Sequence, residues 1–287
     1  MSARSLAVIG AGTMGHGIAQ VAAMAGHVVA LVDATTELAV RGVDRIRENL
    51  DGAVARAKLT ADQREAALAR VHPLGDLADA VASANFVVEA VPERMDLKRA
   101  IFRDLEKATT ESVILASNTS SLSITDLQRR LEHPERVIGL HFFNPVHINR
   151  LVEVVRGKRT SDATLTTSLE FVRELGKDPI VVNDSPGFAT SRLGVLLGLE
   201  AMRMLEEGVA SAEDIDKAME LGYRHPMGPL KLSDLVGLDV RLDIADYLYK
   251  KLGGRRFKPP RILRAKVAEG KLGKKTGEGF YRWTDAE

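Results

Sequence analysis

Along the first half of the chain, short apolar runs alternate with longer segments whose apolar residues recur at helical spacing. Leu6 to Ile9 is rich in β-branched residues, GAGTMG follows at 10–15, and HGIAQVAAMAG then carries a helical pattern that stops at Gly26. VVALVD reads as a second buried strand closing on Asp33. NFVVEAV (85–91) and VILASN (113–118) read as further strands, with a helix around Leu97 to Lys107 between them. RVIGLHFF (136–143) and RLVEVVRG (150–157) read as two more, joined through residues 144–149, where Pro145 cannot donate to a ladder. This alternation predicts an α/β domain with a doubly wound parallel sheet.

The pattern departs from alternation twice. Residues 35–70 are helical in period, a longer excursion than a crossover needs, and Thr60-Ala61-Asp62-Gln63 reads as a capping box that starts the second helix. Later, Ser185-Pro186-Gly187 breaks the last sheet segment, and the remainder is helical. LGVLLGLEAMRMLEEG is strongly apolar, Ser211 to Asp214 caps the next helix, PMGP punctuates at 226–229, and VGLDVRLDIADYLYKKLGG supplies another long helix. Roughly five helices predict an all-α C-terminal domain. The expected boundary divides residues 1–185 from 186–287. Such apolar helix faces suit either an ordinary core or burial against a second copy.

Composition narrows the function classes. A length of 287 residues fits two domains of moderate size. Lys and Arg total 40 against 39 Asp and Glu, so no global field points to nucleic acid or an anionic membrane. Without cysteine there is no disulfide framework, thiolate chemistry or zinc–cysteine site, which fits a reducing, cytoplasmic setting. The N-terminus lacks a signal-peptide pattern, and no stretch approaches the roughly 18 apolar residues of a membrane helix, so a soluble protein is expected. The histidines show no metal-ligand spacing, and no aromatic-rich basic strip suits nucleic acid.

The chemistry starts at the glycines. Gly10 suits a tight turn, Gly12 the close approach of a pyrophosphate, and Gly15 the packing of helix on strand, while the helix N-terminus faces the phosphates. A lone G-x-G-x-x-G also occurs as a plain strand-to-helix connection. Here strand, helix, second strand and Asp33, 18 positions after Gly15, are all present, which favours a Rossmann-type dinucleotide site. Asp33 can bond both ribose hydroxyls and would repel a 2′-phosphate, and Ala34 and Thr35 follow it, so NAD is expected over NADP. In the helical excursion Arg41, Arg45, Arg47, Arg56, Lys58 and Arg64 are matched by acids, and either a solvated face or a phosphate-bearing ligand accounts for them. Glu93 and Lys98 follow one strand end, and Ser117 to Ser121 the next; the latter can cap a helix or line the ligand edge of the sheet.

His141 and Glu153 project from neighbouring predicted strands. A carboxylate in a strand as apolar as LVEVV needs a partner, and His141 is the nearest obvious one. A histidine held by a carboxylate has the orientation and tautomer of a general base. A histidine in a strand is, taken alone, more often a satisfied core residue, so spacing by itself leaves both readings. His147 reads as part of the connection.

Together these segments resemble the 3-hydroxyacyl-CoA dehydrogenase family, in its short, stand-alone 3-hydroxybutyryl-CoA dehydrogenase type. The resemblance rests on VIGAGTMG, VPERMDLK (91–98), ILASNTSSLSIT (114–125), VIGLHFFNP (137–145), LVEVVRG, GKDPIVVNDSPGF, EDIDKAMELGYRHPMGP and LGKKTGEGFY, and runs nearly end to end. It implies His141 as general base, Glu153 as the carboxylate holding it, Ser120 as the bond to the substrate oxygen, and Asn144 beside them. It implies NAD contacts at Gly10, Gly12, Thr13, Met14, Gly15, Asp33, Glu93, Lys98, Asn118, Ser120, Asn144 and Lys275. CoA contacts are implied at Asn49, Arg56 and Ser120, and a homodimer through the helical domain. The activity implied is reversible oxidation of an L-3-hydroxyacyl-CoA by hydride transfer to the nicotinamide.

The chain departs from the family pattern at two places. Ser191 stands where the family commonly has an asparagine of the substrate-polarising set, offering a shorter side chain and a hydroxyl in place of an amide. His147-Ile148-Asn149-Arg150 replaces the usual Pro-Val-Met-Lys, which bears on acyl-chain preference. Two other readings fit the same residues: a dehydrogenase of a CoA-free hydroxy acid, such as a sugar acid, and a non-catalytic NAD(H)-binding sensor.

Overall fold

Residues 4–284 are described by the computed structural model, and the chain divides into two compact units, Met1–Ser185 and Pro186–Glu287. The first runs β1 (Ser5–Ile9), α1 (Thr13–Met24), β2 (Val28–Val32), α2 (Thr36–Ala55), α3 (Ala61–Leu68), β3 (Val71–Leu74), α4 (Leu77–Val81) and β4 (Phe86–Glu89). It continues with α5 (Met95–Ala108), β5 (Ile114–Ser117), α6 (Ile124–Leu127), β6 (Val137–Phe142), β7 (Leu151–Arg156), α7 (Asp162–Glu174) and β8 (Asp178–Asn183). The eight strands form one sheet in the order β3-β2-β1-β4-β5-β6-β7-β8. This is the doubly wound, Rossmann-like arrangement.

All neighbours pair in parallel except β6 and β7, which are antiparallel. The wholly parallel sheet expected from strand–helix alternation gives way there because the link at 143–150 is too short for a crossover, which needs about a dozen residues. The strand β3 is the other difference. Its sequence, VHPL, is short and contains Pro73, which is tolerated because β3 pairs only with β2 at the sheet edge.

The central strands are buried on both faces, as helix-covered parallel strands require; Leu6, Ala7, Val8, Phe86, Val87 and Val88 have no exposed surface. Ile18, Ala19 and Ala22 bury one face of α1 in the same core, and Phe86 stacks on Phe171 at 4.3 Å. The excursion at 35–70 forms α2 and α3, and Thr60 and Gln63 make both halves of the expected capping box. Sheet order reverses beside β1, whose neighbours are β2 and β4, so the crevice for a ligand opens at the carboxyl ends of these strands.

The second unit consists of α8 (Thr190–Glu206), α9 (Ala212–Tyr223), α10 (Pro229–Val236), α11 (Leu238–Leu252) and α12 (Arg261–Ala268). It has its own core, including Leu199, Met202, Leu230, Leu238, Ala245, Leu248 and Leu263. Ser211 caps α9 by accepting from the Asp214 N–H. The buried carboxylate of Asp234 accepts from the Phe280 and Tyr281 N–H groups and from the Trp283 indole, fastening the glycine- and lysine-rich tail to this unit. Among the described residues, no helix is long and apolar enough to cross a membrane.

Candidate active site

The glycine turn after β1 divides its labour by geometry. Gly10 has a φ of +102°, and a Cβ there would meet the Ala90 carbonyl oxygen at 2.7 Å. A Cβ on Gly15 would lie 1.6 Å from the Gly10 carbonyl oxygen, so α1 packs on the turn only because residue 15 has no side chain. Gly12 is different: nothing lies within 4 Å of its Cβ position. It is also the N-cap of α1, and no side chain caps that end, so the first N–H groups of the helix have no capping acceptor. An open cradle over a helix N-terminus fits a dinucleotide pyrophosphate. Thr13 and Met14 form the first turn beside it.

Asp33 closes the other side of the turn. Its Oδ2 accepts from the Ala11 N–H and its Oδ1 from the Ala34 N–H, each at 2.7 Å. Each carboxylate oxygen has a second lone pair, so the same group can hold the turn and accept ribose hydroxyls.

At the ends of β4 and β5 a second network forms. Glu93 Oε1 accepts from the hydroxyls of Thr119 at 2.6 Å and Ser120 at 3.2 Å, and from the Ser120 and Ser121 N–H groups at 2.9 and 3.2 Å. Burial pushes the Glu93 carboxyl up, but the nearby Lys98 ammonium and these donors outweigh it and hold the group below its usual range. The Lys98 Nζ lies 3.4 Å from Glu93 and 2.6 Å from Glu89, and the Lys98 and Glu89 side chains are essentially inaccessible. Ser117 donates to the other Glu89 oxygen at 2.6 Å. Burial raises the Glu89 carboxyl against the pull of Lys98. Thus both Glu93 and Lys98 brace the loop that carries Asn118, Thr119 and Ser120.

Asn118 ties this loop to the next strand, its Oδ1 accepting from the Phe142 N–H at 2.9 Å. Beside it, His141 and Glu153 stand directly opposite one another in the antiparallel register of β6 and β7. His141 Nδ1 lies 2.7 Å from Glu153 Oε2; the carboxylate is wholly buried, the histidine is 7% exposed, and the Phe143 ring centroid is 4.3 Å from the imidazole. An ionised carboxylate only accepts, so the neutral ring carries its proton on Nδ1 and its acceptor lone pair on Nε2. The arrangement can take up a proton at Nε2 and stabilise the imidazolium that results.

The other expected site residues are more dispersed. Asn144 is exposed beyond the end of β6, and its carbonyl accepts from Asn149 Nδ2 at 2.8 Å. Asn49 donates to Gln20 at 3.1 Å, linking α2 to α1, and Arg56 is exposed at the C-terminus of α2. In the helical unit Ser191 lies half-buried in the first turn of α8, and Lys275 pairs with Asp239 at 2.5 Å. Glu89 and Lys177 were not singled out in the sequence. Glu89 carries the same signal as Glu153, an acid in an apolar strand; Lys177, whose Nζ donates to the Val146 and Asn149 carbonyls at 2.5 and 2.7 Å, carries none. Among the described residues, no group of three or more potential metal ligands converges.

Comparison with known proteins decides the family. Residues 5–185 match the model of the 3-hydroxyacyl-CoA dehydrogenase NAD binding domain, and residues 187–283 that of the 3-hydroxyacyl-CoA dehydrogenase C-terminal domain. The chain belongs to the 3-hydroxyacyl-CoA dehydrogenase family. A Deinococcus radiodurans protein named "Probable 3-hydroxybutyryl-CoA dehydrogenase" is 45% identical, covering 96% of this chain and 99% of the relative. The Escherichia coli 3-hydroxyadipyl-CoA dehydrogenase is 42% identical over 99% of this chain, which spans 60% of that protein. The crystal structure of (S)-3-hydroxybutyryl-CoA dehydrogenase from Ralstonia eutropha superposes with a TM-score of 0.95 at 41% identity, covering 99% of this chain and 100% of that one. The chain is therefore an NAD-dependent oxidoreductase of this family, and its first unit is the NAD-binding domain.

Proposed function

We propose that this dehydrogenase oxidises L-3-hydroxyacyl-CoA thioesters reversibly to 3-ketoacyl-CoA, with 3-hydroxybutyryl-CoA as the model substrate. The observation that carries the reading is the His141–Glu153 pair at the ligand edge of the sheet, next to the loop bearing Ser120. Bound NAD supplies the hydride acceptor. His141 Nε2 takes the proton of the 3-hydroxyl as C3 is oxidised, and Glu153 stabilises the imidazolium; in reduction the imidazolium returns the proton. Ser120 and Asn144 orient the substrate oxygen, and Ser191 takes the position at which a polar side chain completes that set.

In this reading Gly10, Gly12, Thr13, Met14 and Gly15 hold the pyrophosphate, and Asp33 holds the adenosine ribose and favours NAD over NADP. Glu93, Lys98 and Asn118 serve the nicotinamide side through the loop they brace, and Lys275 completes the contacts. Asn49 and Arg56 engage CoA, with Arg56 as a cation for its phosphates. The acyl group can end in a methyl, as in 3-hydroxybutyryl-CoA, or in a carboxylate, as the name of the Escherichia coli relative implies. A homodimer through the helical unit belongs to the same reading and is supported by exposed Leu193, Leu197, Leu221, Leu235, Val236 and Val240. A cytoplasmic setting is taken from the cysteine-free composition.

The test is consumption of NADH with acetoacetyl-CoA beside free acetoacetate. Turnover confined to the thioester is expected. Equal or faster turnover of the free acid would move the assignment to a CoA-free hydroxy acid, and NADH binding without turnover of either would reduce the protein to a nucleotide-binding one.

A further inference from the structure

A buried ammonium closes the connection between β6 and β7. Lys177 stands between α7 and β8 and is 7% exposed. Its backbone is tied on both sides: its own N–H donates to the Val172 carbonyl of α7, and the Asp178 N–H donates to the Arg150 carbonyl at 2.8 Å. From this anchor Nζ reaches the Val146 carbonyl at 2.5 Å and the Asn149 carbonyl at 2.7 Å. Asn149 turns back on the same segment, its Nδ2 donating to the Asn144 carbonyl at 2.8 Å with the Pro145 carbonyl at 3.4 Å. Lysine and asparagine thus knit 144–149 into one closed turn. Val146 seats that turn on α1, against the space left by Gly17.

No carboxylate answers the charge. Among the described residues Lys177 forms no ion pair. Glu174, which lines the same hollow, pairs with Arg4 at 2.9 Å, and Arg150 pairs with Asp178 at 2.9 Å. Burial, and after it the Arg150 guanidinium, hold Lys177 below the ordinary lysine range. A buried ammonium held only by carbonyls is costly, and a neutral donor would close a plain turn at lower cost. What the turn carries supplies a reason for the charge. Phe143, whose ring centroid lies 4.3 Å from the His141 imidazole, and Asn144, assigned above to the substrate oxygen, lead directly into it.

We propose that Lys177 is a positioning residue of the dehydrogenase reaction, its ammonium fixing the turn that sets Phe143 and Asn144 beside His141. The proposal rests on the dehydrogenase reading above and adds a residue that touches neither substrate nor cofactor. Three N–H donors on one cation hold two carbonyls more firmly than neutral donors do, and the hold lasts only while the amine is protonated. Loss of the charge leaves the Val146 and Asn149 carbonyls without their donor, and a shift of about 1 Å in the residues they support is enough to slow the chemical step.

The experiment follows oxidation of 3-hydroxybutyryl-CoA by NAD against pH in wild type, Lys177→Met and Asn149→Leu, with circular dichroism recorded at each pH to show that the fold persists. Oxidation needs His141 neutral, so an alkaline fall in kcat does not come from that residue. His147, lowered by burial and then by Lys177, is already neutral there. Wild type should lose kcat reversibly as Lys177 gives up its proton, below the pH at which an ordinary lysine does so. Lys177→Met should start with kcat lower by about 10–100-fold, at nearly unchanged KM and NADH affinity, and should show no further alkaline fall. Asn149→Leu removes the second tie and keeps the lysine, so it should lower kcat by roughly three- to tenfold and retain the fall. Should Lys177→Met fail to fold, the wild-type profile and Asn149→Leu still decide: a wild-type kcat that stays level while the fold persists overturns the proposal. So does an alkaline fall that survives in Lys177→Met, or a Lys177→Met enzyme whose Tm drops while kcat stays within about threefold, since the lysine would then serve the fold alone. If wild type binds NADH and oxidises no 3-hydroxyacyl-CoA at any pH, the dehydrogenase reading itself fails.

Discussion

His141 and Glu153 occupy opposed positions in the antiparallel register of β6 and β7, with Nδ1 of the first 2.7 Å from Oε2 of the second. The contact fixes which nitrogen can receive a proton. Replacing His141 with Ala removes that nitrogen, and Glu153→Gln removes the charge that steadies the imidazolium while offering an amide that can donate to Nδ1 and invert the tautomer. Each substitution should lower kcat by about 10²–10⁴-fold. NADH affinity, measured by fluorescence titration, should change little. A variant retaining kcat within tenfold of wild type would remove that residue from the proton path.

The glycine turn gives a prediction in which stability and binding separate. A methyl on Gly12 enters empty space, whereas one on Gly15 collides with the Gly10 carbonyl. Gly12→Ala should therefore unfold within about 0.5 kcal/mol of wild type, the range of an innocuous surface change. Its methyl would stand where the pyrophosphate approaches, so NADH affinity should fall at least tenfold, about 1.4 kcal/mol. Gly15→Ala should cost roughly 3 kcal/mol of stability or more, because the obstacle is backbone. Denaturant unfolding and NADH titration of the two variants test the division; equal effects of both on affinity and stability would contradict it.

Lys98 and Glu89 form a buried pair beneath the Asn118–Ser120 loop. Lys98→Met leaves a raised, wholly buried carboxyl without its cation, a change expected to destabilise by about 3–5 kcal/mol. Adding Glu89→Gln should recover a large part of that loss, because it removes the orphaned charge. The check is a double-mutant cycle in denaturant; additive single effects would mean that the two side chains act independently.

How much of this was legible in the sequence depends on what local pattern encodes. The buried strands announced themselves as apolar runs, and the turn at Gly10 to Gly15 by its spacing, because both are local consequences of period and backbone conformation. The strand β3 escaped because Pro73 reads as a breaker unless one knows that the strand lies at the sheet edge. The rule that an acid in an apolar strand needs a partner offers His141 for Glu153 but leaves a core histidine equally open, and it is the antiparallel register of β6 and β7 that pairs them. The same rule applied to Glu89 would have found Lys98, nine positions on, but Lys98 was read only as a cofactor contact. Sequence separation does not say that the first turn of α5 folds its lysine back over β4.

The clamp that Glu93 places on the loop should make part of the protein's stability depend on pH. Lys98 and the donors of Thr119, Ser120 and Ser121 hold the folded-state pKa of Glu93 below its ordinary value of 4.5. The folded chain therefore binds the proton less readily than the unfolded one. The stability this contributes is fully present above about pH 4.5 and is lost as pH falls through the folded value. Glu93→Gln keeps an acceptor and a similar shape but removes the ionisation. The difference in Tm between wild type and Glu93→Gln should be largest near neutral pH and should shrink as the solution is taken below pH 4.5. Glu89 has the opposite sense, since its carboxyl is raised by burial, but both proteins retain it, and to first order its contribution cancels in the comparison. A Tm difference that is constant across this range, or that grows in acid, would show that ionised Glu93 does not hold the loop, and that the hydroxyl and N–H donors around it are held by the backbone alone.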